Sequence, residues 1–165
     1  MFAAAVRVLR WASRGLAGFE AGLLAGSLLA VLLLFGVPGI LLRREDPEDF
    51  CSCWLYMFRI DPARFRCDRD QFAAALAAEG CACWVGYVET PMYRYPLFRT
   101  ESFFAGRWPV KELGLTTMDY SKISLPETEA ICRTSIHVTI RENLTAEYIE
   151  QSAKAVAKVA EAYRR

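Results

Sequence analysis

The chain carries almost no net charge: Lys and Arg number 20, Asp and Glu 19, leaving +1 at pH 7 over 165 residues. Nucleic-acid recognition needs a basic excess, and the charge balance offers none. Histidine occurs once, at His137, and a catalytic role for it needs an acid or nucleophile alongside that the sequence does not name. Lysine is also scarce, present only at Lys111, Lys122, Lys154 and Lys158. A lysine that forms a Schiff base needs a desolvated pocket or a cationic neighbour, and all four read as ordinary surface residues. The length suits one domain of ordinary size and is too short for a large cofactor-binding domain plus a small one.

Apolar residues are abundant instead, at 54% of the sequence, with the excess ahead of residue 43. Residues 1–20 form a basic segment with Arg7, Arg10 and Arg14. Residues 21–42 carry no charge, and as a helix they would extend roughly 33 Å, close to the ~30 Å hydrocarbon core of a bilayer. They are the candidate transmembrane helix, with Pro38 as a point where it kinks or ends near Val37. No Ala-x-Ala cleavage site follows, so anchoring is preferred to a cleaved signal. Residues 43–53, opening on Arg43 and Arg44 and containing Pro47, read as a linker.

Residues 54–165 read as a second domain. Trp54–Ile60 is apolar and aromatic, predicting a strand that ends at Asp61-Pro62. Asp68 and Gln71 have capping-box spacing ahead of a helix over Arg69–Glu79, which buries Phe72, Ala75 and Leu76 and stops at Gly80. Cys83–Val88 predicts a second strand, and Glu89–Leu125 an irregular, aromatic loop. Ser124 and Glu127 repeat the capping-box spacing before a short helix to about Arg133. Ser135–Ile140 alternates and is β-branched, predicting a third strand. Thr145 caps a last helix whose apolar stripe is Ile149, Ala153, Val156, Ala160 and Tyr163, with Glu150, Lys154, Lys158 and Glu161 off it. The Asn143-Leu144-Thr145 sequon is explained by that cap. The order β-α-β-loop-α-β-α predicts an α+β domain, a small sheet packed with helices.

Cys51, Cys53, Cys67, Cys81, Cys83 and Cys132 read as reduced, mostly buried thiols rather than a secreted disulfide framework. The Cys51/Cys53 and Cys81/Cys83 pairs could be joined into a four-thiolate metal site, but structural zinc pairs are usually spaced C-x2-4-C, so no metal is expected.

Three stretches in order carry a resemblance: RIDPARF followed by RDQFAAALAAEG, then GYVETPMY, then NLTAEYIEQSAKAV. Together they resemble the C-terminal small domain of the DegT/DnrJ/StrS sugar aminotransferases, fold-type I enzymes that use pyridoxal phosphate. The resemblance covers about two-thirds of the chain. It implies a short sheet covered by helices, and a parent reaction that moves an amino group onto a keto sugar or keto-cyclitol. It places Tyr93 where the family has a histidine or tyrosine near the sugar, with Arg94 beside it and His137 as a further substrate-side candidate. HVTIREN departs from the family, which often has Leu-Pro there. The lysine-bearing large domain has no counterpart. The resemblance therefore implies a truncated or split enzyme, inactive and without cofactor on its own, whose partner is a separately encoded large domain or a homologous aminotransferase chain. The alternative is a membrane-anchored, non-catalytic binding or scaffold module. The second domain is expected on the cytoplasmic side of a membrane, or free in the cytoplasm if the N-terminal segment is an artefact.

Overall fold

The computed structural model describes Leu34 and residues 36–43, 55–139, 141 and 144–165. These divide into two units, one comprising the chain up to Val85 together with Thr134–Arg165, the other Gly86–Arg133.

Four strands of the first unit make an antiparallel sheet: β1 (Ile40–Leu42), β2 (Leu55–Ile60), β3 (Cys83–Trp84) and β4 (Ser135–Thr139), in the order β1-β2-β4-β3. Phe58 lies opposite Ile136 and Tyr56 opposite Val138. Side chains alternate along a strand, so Tyr56, Phe58 and Ile60 project to one face and are buried there. Two helices share that core, α1 (Arg69–Ala78) through Phe72, Ala73 and Leu76 and α5 (Ala146–Tyr163) through Ala153, Val156, Val159 and Ala160. The predicted stripe of α5 is the buried one, with Tyr163 half-buried and its ring 6.5 Å from that of Phe72. Phe65 meets Phe72 edge-on at 5.3 Å.

Local chemistry sets the boundaries. Asp68 accepts from the Gln71 N–H at 2.8 Å while the Gln71 side chain accepts from the Asp68 N–H at 3.1 Å, the reciprocal cap expected from the sequence. Gly80 ends α1 at φ +89°, as expected. Thr145 accepts from the Tyr148 N–H at 3.1 Å and starts α5.

Several expectations are corrected. The span over 21–42 does not run as one helix to its end: Gly36 and Gly39 have positive φ around Pro38, and Ile40–Leu42 is β1, paired to Ile60–Phe58. Gly39 is required there, because a Cβ would lie 2.5 Å from the Phe65 ring. The sheet thus begins ahead of residue 54, and the linker boundary at 43 falls just after a strand. Residues 1–33 and 44–54 lie outside the described residues, among which no helix is long and apolar enough to cross a membrane. The Cys83–Val88 strand is only two residues long, since Gly86 turns away at φ +80°.

The second unit is not a plain loop. A 3-10 turn at Met92–Arg94, α2 (Pro96–Arg99), α3 (Pro109–Glu112), a 3-10 turn at Tyr120–Lys122 and α4 (Pro126–Thr134), which runs into the first unit at Thr134, occupy it. Its prolines start helices, because a first helical residue needs no N–H and proline fixes the right φ. For the same reason α4 begins at Pro126, so the cap position is Leu125, whose carbonyl accepts from Glu129, and not Ser124. Phe98, Phe103, Trp108 and Tyr120 form a ring cluster, with the Phe103 and Trp108 centroids 4.0 Å apart and the others 5.2–5.4 Å apart.

Phe72 is fully buried, whereas Asp68 acts only through the cap. Phe72→Ala is expected to lower unfolding free energy by about 3–5 kcal/mol and Asp68→Ala by about 1 kcal/mol. Urea titration checks the ratio; equal losses would contradict the assignment of the core.

Candidate functional site

Tyr93 and Arg94 are brought together by Glu129. Pro91 and Pro96 bracket the 3-10 turn that carries them, and α4 carries Glu129 in its first turn. Tyr93 is buried; its hydroxyl donates to Glu129 Oε1 and accepts from the Leu125 N–H at 3.1 Å. Arg94 Nη2 lies 2.6 Å from the same carboxylate oxygen. The Tyr93 hydrogen bond holds the Glu129 carboxyl below its usual range, against partial desolvation and with the Arg94 charge assisting. A contact with the Tyr93 side chain pushes Arg94 up, with the Glu129 carboxylate adding to it against partial desolvation.

The two residues therefore have different roles. Tyr93 is consumed in structure, fixing α4 to the turn. The Arg94 side chain is 52% exposed, and a guanidinium has five N–H donors. It keeps donors for a carboxylate, phosphate or sugar oxygen while Glu129 holds it in place. Sequence reasoning missed Glu129, which reads as one of several acidic residues near a helix start. Tyr95, two residues from Tyr93, is exposed.

His137 belongs to the first unit and is not part of this cluster. It sits on β4 opposite Met57 and Trp84, on the sheet face away from Phe58 and Ile136. It is buried there nonetheless, stacked on Trp84 at 5.8 Å and 25°. Burial pushes its pKa down, the Arg69 charge pushes the same way, and a hydrogen bond with the Trp84 backbone opposes both. The ring is held neutral.

The four lysines do not fit a pyridoxal phosphate aldehyde. Lys111 is bound to Glu101 at 2.6 Å, Lys122 to Asp119 at 2.9 Å and Lys158 to Glu79 at 2.7 Å, and Lys154 is exposed. The Asp119 hydrogen bond pushes Lys122 up, the opposite of what Schiff-base chemistry needs. Among the described residues no three His, Cys, Asp or Glu side chains are grouped to hold a metal ion. Cys51 and Cys53 lie outside them.

No protein-family model and no curated protein matches the sequence. Solved structures do match. DesV of S. venezuelae, in complex with a ketimine intermediate, superposes with a TM-score of 0.63 at 21% identity, over 87% of this chain and 32% of that one. The aminotransferase TlmJ from Streptoalloteichus hindustanus gives 0.63 at 16%, over 87% and 32%. PseC of Helicobacter pylori, an aminotransferase involved in the biosynthesis of pseudoaminic acid, gives 0.62 at 19%, over 88% and 33%. The chain spans about a third of the length of these structures and shares the fold of that third. The coverage exceeds what residues 54–165 supply, so the likeness reaches ahead of residue 54, where β1 lies.

The neutral state of His137 has a consequence for stability. In the unfolded chain the imidazole titrates near 6.5, and in the fold it titrates lower. Below pH ~6.5 the unfolded state binds a proton that the folded state refuses, so stability falls as pH drops through that window and is unaffected by this group above it. Urea unfolding of His137→Gln is expected to show a shallower loss as pH falls below about 6.5 than the unsubstituted chain. An unchanged slope would mean that His137 is not held neutral by the fold.

Proposed function

We propose that residues 1–165 provide the small-domain part of a pyridoxal-phosphate-dependent sugar aminotransferase and contribute the substrate side of its pocket, not the cofactor cradle. The parent reaction transfers an amino group from an amino acid to a keto sugar or keto-cyclitol. Pyridoxal phosphate supplies the electron sink for that chemistry. The observation that carries this reading is the fold shared over 87% of the chain with about a third of DesV and TlmJ.

Two features support the division of labour. The lysines are exposed, and three of them are ion-paired. A Schiff-base lysine would then come from a large domain outside these residues. The unit Gly86–Arg133 also displays large apolar side chains to solvent, among them Phe104 at 77%, Leu113 at 72% and Leu115 at 73% exposed. Such a concentration is unusual on a finished surface and suits a unit that packs against more protein. Glu101, Phe104 and Ala105 have positive φ without being glycine, a strain that persists only where the surroundings hold it. In the assembled enzyme Arg94 faces the acceptor, oriented by Glu129.

The test has two parts. Incubation of the chain alone with pyridoxal phosphate, followed by borohydride reduction and mass measurement, is expected to leave no stoichiometric adduct on any single lysine; a stoichiometric one would overturn the reading. Mixed with a lysine-bearing aminotransferase large domain, the chain is expected to restore transamination. Arg94→Ala should then reduce kcat/KM about 10–100-fold, the loss expected for one charge-assisted hydrogen bond. An unchanged kcat/KM would remove Arg94 from the substrate side.

A further inference from the structure

Glu129 does more than orient Arg94; it cancels the arginine's charge. Both contacts to the carboxylate, from Arg94 Nη2 at 2.6 Å and from the Tyr93 hydroxyl, are made at Oε1. The Arg94 side chain is 52% exposed and that of Glu129 16%, so the guanidinium is the open member of the pair and the carboxylate the covered one. The Tyr93 hydrogen bond favours the ionised carboxyl and keeps its negative charge in place at neutral pH. Arg133, one turn on along α4, acts on the same carboxylate more weakly than Tyr93 or Arg94. The rest of the unit adds no cationic surplus. Residues 86–133 contain six Lys or Arg and six Asp or Glu. Lys111, Lys122 and Arg107 are already paired with Glu101, Asp119 and Glu112.

We propose that Arg94 and Glu129 together select an uncharged acceptor: Arg94 donates to a hydroxyl oxygen of a polyol ring, and Glu129 disfavours a phosphate or carboxylate at that place. The inference rests on the reading of Arg94 as a substrate-side residue and adds the class of group that Arg94 meets. Ion pairing cancels the net charge that draws an anion, but it leaves the outward N–H donors of the guanidinium in place. A hydroxyl oxygen accepts a charge-assisted hydrogen bond from such a donor without bringing a charge of its own. A phosphate at the same donors would set its negative charge beside that of Glu129. The repulsion then offsets the attraction to Arg94, because the two opposite charges lie in contact and the anion meets both at similar range. An unpaired arginine would favour the anion over the hydroxyl, so Glu129 is what reverses the order. It acts through Arg94 as a specificity-determining residue and not as a catalytic one.

The experiment follows the Arg94 Nε–H signal of the isotope-labelled full chain by NMR during titration with myo-inositol and, separately, with myo-inositol 1-phosphate. In the unsubstituted chain myo-inositol is expected to shift the Arg94 signal, and the phosphate ester to bind no more tightly. In Glu129→Gln, whose amide oxygen can still accept from Tyr93, the order is expected to reverse, the ester gaining about 10-fold relative to myo-inositol. A preference for the ester in the unsubstituted chain, no response of Arg94 to myo-inositol, or an unchanged ratio in Glu129→Gln would each overturn the proposal. The first two outcomes do not depend on whether the variant folds. Failure of the aminotransferase reading has a different signature: the chain would keep this order of binding at Arg94 and yet restore no transamination when mixed with a large domain.

Discussion

Phe58, Ile60 and Ile136 leave water only because a second layer covers the sheet face from which they project. That one-sided burial is the constraint on which the first unit rests. Fully burying a side chain of this size contributes roughly 1.5–3 kcal/mol, and each helix must be aimed for the contribution to be realised. The Asp68 capping box aims α1, so that Phe72 and Leu76 fall on the sheet, and Thr145 does the same for α5. Phe65 fills the gap between α1 and β1, and Gly39 is glycine because that ring stands where a side chain would be. β3 is only Cys83–Trp84, and Cys81 just ahead of it lines one small cavity with Ser152 and Ala153 of α5.

The second unit is organised by other means. A ring cluster, short proline-started helices and ion pairs such as Lys111–Glu101 and Arg107–Glu112 hold it, and its large apolar side chains are mostly spent outward. Exposed ion pairs contribute little to stability, so the unit's shape owes more to its rings and to the buried Tyr93. The two units are thus held by different kinds of interaction. Within the second, Arg94 is tied to Glu129 on one side and half-exposed on the other.

Most of the first unit is legible in the amino-acid sequence. Its apolar residues follow the periods of strand and helix, and its helix ends carry side chains whose only good use is capping, so Asp68, Gly80 and Thr145 each announce a boundary. β1 is hidden, because Ile40, Leu41 and Leu42 continue an uncharged run and nothing local separates the end of a greasy helix from a short strand; the separation comes from pairing with Ile60, Arg59 and Phe58. The second unit reads as plain loop only if proline is taken as a breaker, whereas here it is a starter. Of the site residues, Tyr93 and Arg94 stand out by likeness to a family pattern, but their common partner Glu129, more than thirty residues on, follows only from the fold. His137 is separated from them for the same reason, since a strand residue declares its alternation and not its neighbours.

Native-state hydrogen exchange on the full chain measures the central constraint directly. Amides of β2, β4, α1 and α5 should exchange slowest and share one opening free energy, because they lose the covered face together. Amides of residues 86–133 should exchange through separate, smaller openings. Protection in residues 86–133 equal to that of β2 and β4, or fast exchange in α1 with β2 still protected, would contradict a fold that depends on one helix-covered sheet face.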